Sequence, residues 1–504
     1  MNSLVLPARG EIWQYVGLEL TKNGFPPAIW FGPHKLSSFA KENFPDCEVI
    51  DYHKIHAGIP EREARFFAPA EYLRSRDFMH MKLQVLKLMD RQDDIRAFGK
   101  LEREAIFYGM FNHLYSLIVE KQIKILISCE APHGPGYLIA YRICEYLGIP
   151  TYHLVRNSIV PLMQINTSIV GPPIPVVDAP DTTQQVTLLR DSLAEYENRI
   201  PTPYYMADQA AFDRDFNFPK AVLKHWRRWL IRRAKIVLGR QQRPTDDIVR
   251  YSRFPYQRDE VSLNHPFVVR RLRRALRDEY ARISQGVDWE SPDLPKFVYF
   301  PMPYEPERTS NPDGGDFYEA MDALIALREF IPAEVAIFVK EHPSQYSAKL
   351  KGFQGRSPLH YQAIAQMANV RLVDIGVPSS TLVERSEFVA CITGTAALEA
   401  ALIGGRSVVF GSPWFYQLPG VHHFDTLTNY NALMSAPTFS VKEIGDAAQS
   451  LIENTAIPAA TSGSQENYFR AKFGENWAAK DWAHDAARSL VKTVIDDFAR
   501  RPKR

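Results

Sequence analysis

Lys340, Glu341 and His342 stand in a row at the end of the apolar run Val335–Val339, and Pro343 follows them. Proline lacks the N–H that a strand ladder needs, so the chain turns there and leaves three ionisable side chains at the strand's carboxyl end. A His in that position can donate to a phosphate or a leaving oxygen, and a Lys can neutralise the same charge. A charged turn would also explain the Pro, but three ionisable groups at the mouth of a sheet favour a site. About fifty residues on, the run Phe388–Ile392 passes into Thr393, Gly394 and Thr395 and then into an Ala-rich helix beginning near Ala396. Backbone N–H groups at a helix start, a Gly that allows close approach and two Thr hydroxyls make an anion cradle. Glu399, one turn further, either accepts from ribose hydroxyls or caps its own helix. Ser379 and Ser380 come after the short run that ends at Asp374, where they reach the same edge or serve as helix caps. A separate group lies upstream: Glu130 closes KILISCE and His133 follows in APHGPG. A carboxylate at a strand end there suits a general base or a nucleophile, or it caps the next helix.

Strands must hold these groups, and the pattern supplies them in two regions. The first contains AIWFG (28–32), CEVIDYH (47–53), KILISCE (124–130) and PTYHLV (150–155), with helical stretches at about 71–120 and 137–147. The second contains KFVYFPM (296–302), EVAIFVKEHP (334–343), VRLVD (370–374), FVACIT (388–393) and RSVVFG (406–411). Such alternation gives parallel sheets covered by helices on both faces, hence an α/β chain of two Rossmann-like domains. Ligands of open parallel sheets lie beyond the carboxyl ends of the strands, where all the residues above stand. The expected division is an N-terminal domain 1–200, a basic helical insert 201–295, a C-terminal domain 296–460 and terminal helices 461–504.

A chain of 504 residues exceeds what one core usually supports, and 45% hydrophobic content fills two. The formal charge of +2 argues against a nucleic-acid binder, so electrostatic specialisation must be local. It is concentrated in 220–243, KAVLKHWRRWLIRRAKIVLGRQQR, where Trp226 and Trp229 sit among many Lys and Arg. The stretch reads as a solvated helix or as an interfacial helix on an anionic membrane surface. Cys47, Cys129, Cys144 and Cys391 are scattered, and structural thiols are expected. The N-terminus lacks a basic start followed by a long apolar stretch, and no run of about 18 apolar residues occurs, so a cytoplasmic, non-spanning protein is expected. No cluster has metal-ligand spacing, and neither a Walker A nor a G-x-G-x-x-G pattern occurs, so metal-independent chemistry without a cofactor is expected.

KEHP, followed by TGTAALEAALIGG and GSPWFYQLPGV, resembles the nucleotide-binding half of GT-B glycosyltransferases of bacterial surface polysaccharide synthesis. The likeness is to the capsule-type group that includes retaining Kdo transferases and His-Pro-motif sialyltransferases, and it covers roughly residues 296–425. It implies two Rossmann-like domains facing a central cleft, a C-terminal helix crossing back, a CMP-activated acidic sugar as donor substrate and a glycan or lipid-linked glycan as acceptor. By the same resemblance His342 and Pro343 contact the nucleotide with Lys340 and Glu341 beside them, Thr393 and Thr395 its phosphate, and Glu399 the ribose. The family's N-terminal domain supplies an acceptor-side carboxylate, the part assigned to Glu130 with His133. Where the Kdo-transferase pattern has a Ser five positions before the Glu, this chain has Gly394, so a neighbouring Thr must supply the hydroxyl. TGTAALEAAL is also similar to a loop of lipid A disaccharide synthases, which use UDP-sugars. A CDP-polyol phosphotransferase of teichoic-acid type and a non-catalytic glycan-binding protein are the rival readings.

Overall fold

The computed structural model describes residues 1–55, 63–91, 99–197, 204–238, 263–306 and 310–502. The chain divides into two compact units: Met1–Met89, Phe98–Ser192 and Gly445–Arg504 form one, and the other is built mainly of Leu193–Ile444. Both are α/β, with mostly parallel sheets covered by helices.

The first unit holds β1 (Asn2–Leu6), β2 (Pro27–Gly32), β3 (Glu48–Asp51), β4 (Ile123–Ser128), β5 (Thr151–Arg156), β6 (Leu162–Asn166) and, from the C-terminal segment, β13 (Ala456–Pro458). Their order is β13-β6-β5-β4-β1-β2-β3. Strands β1 to β5 pair in parallel, and β6 and β13 close the edge antiparallel. Burial explains the composition: every residue of β2 is buried, as a strand covered on both faces requires. The C-terminal helix Trp482–Arg500 crosses back onto this unit. Phe498 meets Phe25 edge to face at 5.2 Å, and Asp497 Oδ2 accepts from the Tyr152 hydroxyl at 2.7 Å.

The second unit holds β7 (Phe297–Pro301), β8 (Ala336–Lys340), β9 (Val370–Leu372), β10 (Val389–Cys391), β11 (Ser407–Val409) and β12 (Val421–His423). All pairs are parallel, in the order β12-β11-β10-β7-β8-β9. The chain steps from β7 to one side as far as β9, then returns to β10 on the other, so the order reverses between β7 and β10. One face of the sheet packs Val298, Phe300, Ile337 and Val339 against Leu324, Leu327, Tyr361 and Tyr280. The other packs Phe297, Tyr299 and Phe338 against Leu382, Val383 and Ala400. Because successive strand side chains alternate in direction, Lys340 continues the Phe338 face and Glu341 turns to the opposite one.

Of the basic stretch 220–243, residues 239–243 lie outside the described residues, as do 92–98 of the expected 71–120 helical span. No helix among the described residues is long and apolar enough to cross a membrane. Cys129, Cys144 and Cys391 are buried and Cys47 is partly so; burial pushes the Cys47 and Cys391 thiols up to about 12.

Candidate functional site

In the second unit the reversal point gathers the predicted residues. Lys340 is almost fully buried, and its ammonium donates to the carbonyl of Val377 at 2.5 Å and to Ser379 Oγ at 3.1 Å. Ser379 opens the helix Ser379–Arg385 and also accepts from the Tyr299 hydroxyl at 3.4 Å. Burial lowers the Lys340 ammonium to about 8, with Asp374 pulling the other way. Tyr299 lies close enough to Glu399 for the carboxylate's charge to raise its phenol, although burial does most of that. Lys340, Ser379 and Tyr299 thus come from three elements to one hydrogen-bonded group. Ser380, the next residue of the same helix, is half-buried.

Thr393 and Thr395 are half-buried and Gly394 is exposed. The Thr395 hydroxyl donates to Glu399 Oε1 at 3.2 Å, and that side chain accepts from none of the N–H groups of the helix start. Burial raises the Glu399 carboxyl to about 7, with the Thr395 bond opposing. The helix that follows, Ala396–Leu402, has only seven residues. Its dipole is correspondingly short, so an anion here would depend on hydroxyls and on Lys340 more than on the helix.

His342 and Glu341 part company. His342 Nδ1 accepts from the N–H of Ser344 at 3.2 Å and so starts the turn Pro343–Tyr346. That bond places the proton of the neutral ring on Nε2, making it a donor. Pro343 is exposed at the same sheet edge. Glu341, expected beside the nucleotide, has no side-chain exposure at all. It pairs with Arg356 Nε at 3.0 Å, accepts from the Tyr361 hydroxyl at 2.8 Å and from its neighbour's N–H, that of His342, at 2.8 Å. This carboxylate anchors the turn from inside, as strand alternation dictates.

A further loop belongs to the site and carries no ionisable cluster to signal it. After β7, residues 310–315 run as Ser-Asn-Pro-Asp-Gly-Gly against the loops after β10 and β11. A Cβ on Gly411 would lie 2.4 Å from the Asp313 carbonyl and 2.7 Å from Thr393 Cγ2, and one on Gly314 would lie 2.7 Å from Ile392 Cγ2. Gly315 has φ +59°, a conformation that glycine adopts without strain. Glu305, buried below it, accepts from the Ser310 hydroxyl at 2.6 Å and through its backbone exchanges bonds with Gln345.

In the first unit Glu130 and His133 do meet. Glu130 Oε1 lies 3.2 Å from His133 Nδ1, which also lies 3.3 Å from the carbonyl of Ala131. Two acceptors on Nδ1 fix the proton there and leave Nε2 as the basic nitrogen of the neutral ring. The pair follows β4, whose neighbour β1 is where this sheet's order reverses. Asp51, at the end of β3, pairs with His34 Nδ1 at 3.3 Å, a contact between residues too far apart in sequence to suggest it. His422 and His423 stand on β12 at the sheet edge, and burial lowers both imidazoles. Among the described residues no group of three or more His, Cys, Asp or Glu is placed to hold a metal ion.

Residues 308–448 match the family model of capsule polysaccharide biosynthesis proteins, well under half of the chain. The matched segment contains Lys340, His342, Ser379, the Thr393 loop and Glu399. None of the curated proteins matches the chain. Similar solved structures include the beta Kdo 2,7 transferase of Thermosulfurimonas dismutans KpsC, at 13% identity over 70% of this chain and 81% of that one, TM-score 0.26. The beta Kdo 2,4 transferase of the same protein follows at 13% identity, 65% and 79% coverage and TM-score 0.24. UDP-GlcNAc 2-epimerase from Neisseria meningitidis, bound to UDP-GlcNAc, is 13% identical over 98% of this chain and 100% of that one, TM-score 0.22. At these TM-scores the likenesses inform neither donor nor reaction.

Proposed function

We propose that this chain is a glycosyltransferase of capsule polysaccharide synthesis, moving a CMP-activated acidic sugar of Kdo or sialic type onto a surface glycan. The observation that carries the reading is the hydrogen-bonded group of Lys340, Ser379 and Tyr299 beside the order reversal of the second sheet, with Lys340 and Ser379 inside the segment that matches capsule biosynthesis proteins. In the reaction the bond from the sugar's anomeric carbon to the phosphate oxygen breaks, and negative charge grows on the departing CMP. Lys340 and the Nε2–H of His342 are the groups that meet that charge. They do so without a metal ion. Thr393 and Gly394 line the approach to the phosphate, and Ser380 and Pro343 border the nucleotide.

The acceptor hydroxyl must lose a proton as it attacks. The pair in the first unit has the chemistry of such a base, with His133 Nε2 as the proton acceptor and Glu130 holding the imidazole in that tautomer. The test is thermal stability against CMP, CDP, UDP and GDP, because a ligand that binds only the folded chain adds about 2.7 kcal/mol at a hundredfold excess over Kd. CMP alone should raise Tm, and Lys340→Met should remove the shift. A UDP response would instead mean hexose transfer, a CDP response polyol-phosphate transfer, and silence across the panel would sink the nucleotide site.

A further inference from the structure

The helix Phe218–Val237 has seven Lys and Arg residues and no acidic one. One side of it packs on the helix His265–Ile283. Phe218 meets Phe267 edge to face at 5.5 Å, Arg270 lies 4.3 Å over the Phe218 ring, and Trp226 Nε1 donates to the Leu263 carbonyl at 3.1 Å. The other side is covered by nothing described. Leu223, Leu230 and Val237 recur every seven residues, which aligns them along the helix, and they are 67%, 60% and 83% exposed. At 100° per residue, Arg227, Lys220 and Lys224 occupy the sector next to that line. An exposed aliphatic stripe bordered by cations, on a helix that carries no acidic residue, calls for a partner that is apolar inside and anionic at its surface.

We propose that this face docks on an anionic lipid bilayer, with Leu223, Leu230 and Val237 entering the boundary between headgroups and acyl chains and the flanking cations meeting lipid phosphates. A nucleic acid would satisfy the cations and leave the aliphatic stripe in water. The placement links the face to the His342 turn. Two residues, Phe216 and Asn217, join the cationic helix to the helix Tyr204–Asp215. From that helix Asp213 accepts from the N–H of Ala348 at 2.7 Å, and Gln209 accepts from the Ser344 hydroxyl. The membrane face and the donor turn therefore share one short run of chain.

Sedimentation of the full chain with phosphatidylcholine vesicles, with and without phosphatidylglycerol, tests this. Partitioning should rise about tenfold with the anionic lipid and weaken as salt is added. Leu223→Gln with Leu230→Gln should cut it about tenfold without moving Tm. Lys224→Gln with Arg227→Gln should remove the preference for anionic vesicles. Equal binding to neutral vesicles, or undiminished binding by the Gln variants, overturns the proposal. It also falls if the aliphatic variants instead abolish self-association in analytical ultracentrifugation, because the face would then pair copies of this chain.

Discussion

Lys340 is the side chain through which acidity reaches the site. Its folded value, about 8, lies below the ordinary lysine value of 10.5, so between those limits the unfolded chain holds the extra proton. This lysine's contribution to stability therefore increases as pH rises through that window, while the cation that a phosphate needs is lost. CMP affinity measured by titration calorimetry should fall as pH passes 8. Lys340→Met should bind weakly at every pH, and a flat parental profile would remove Lys340 from the phosphate grip. Glu341 makes the opposite kind of contribution. Its partner Arg356 is 3% exposed in its side chain, and Arg356→Met would leave a buried carboxylate unpaired. Urea unfolding should show a loss of about 3–5 kcal/mol, with CMP binding impaired only in proportion to the unfolded fraction. A loss below about 1 kcal/mol would mean that the pair is not the anchor described. The sequence places Lys340, Glu341 and His342 together, and only the pleat separates them. A row of charges does not say which member a strand sends inward.

The loops after β7, β10 and β11 work as one element. Gly411→Ala would set a methyl against the Asp313 carbonyl and the Thr393 methyl, so one loop must move. The expected cost is about 1–3 kcal/mol. The CMP-induced rise in Tm should shrink further than that loss alone explains, and an unaltered CMP response would exclude the 310–315 loop from the site. The long apolar strands of both sheets are legible as continuous runs because a doubly covered parallel strand has no polar face. β6 mixes Gln164 and Asn166 into its run, β13 has three residues, and β12 carries two His, so none of these shows the pattern. β1 holds an apolar run of three residues, Leu4–Leu6, too short to tell from a buried helical segment by periodicity. The pairing of Glu130 with His133 follows from their spacing in a tight turn, whereas that of His34 with Asp51 depends on β2 and β3 lying side by side.

At the scale of the whole molecule the first unit is assembled from both ends of the described chain. Trp13 Nε1 donates to the Thr461 carbonyl at 3.0 Å, and a Cβ on Gly10 would lie 2.5 Å from that same oxygen. A chain ending at Ile444 lacks β13 and the helix Trp482–Arg500, which opens the β6 edge and uncovers Phe25. Calorimetry should then show the second unit melting as it does in the full chain and no cooperative transition for the first; two intact transitions would refute the shared assembly. The same strand gives the protein an order of maturation during synthesis. Domains ordinarily fold as they leave the ribosome, N-terminal first. Here every segment of the second unit has emerged before β13 is translated, so that unit can fold first while the other waits with an unfinished sheet. The turn that holds Glu130 and His133 then sits in a sheet that is complete only once the segment bearing β13 has been made.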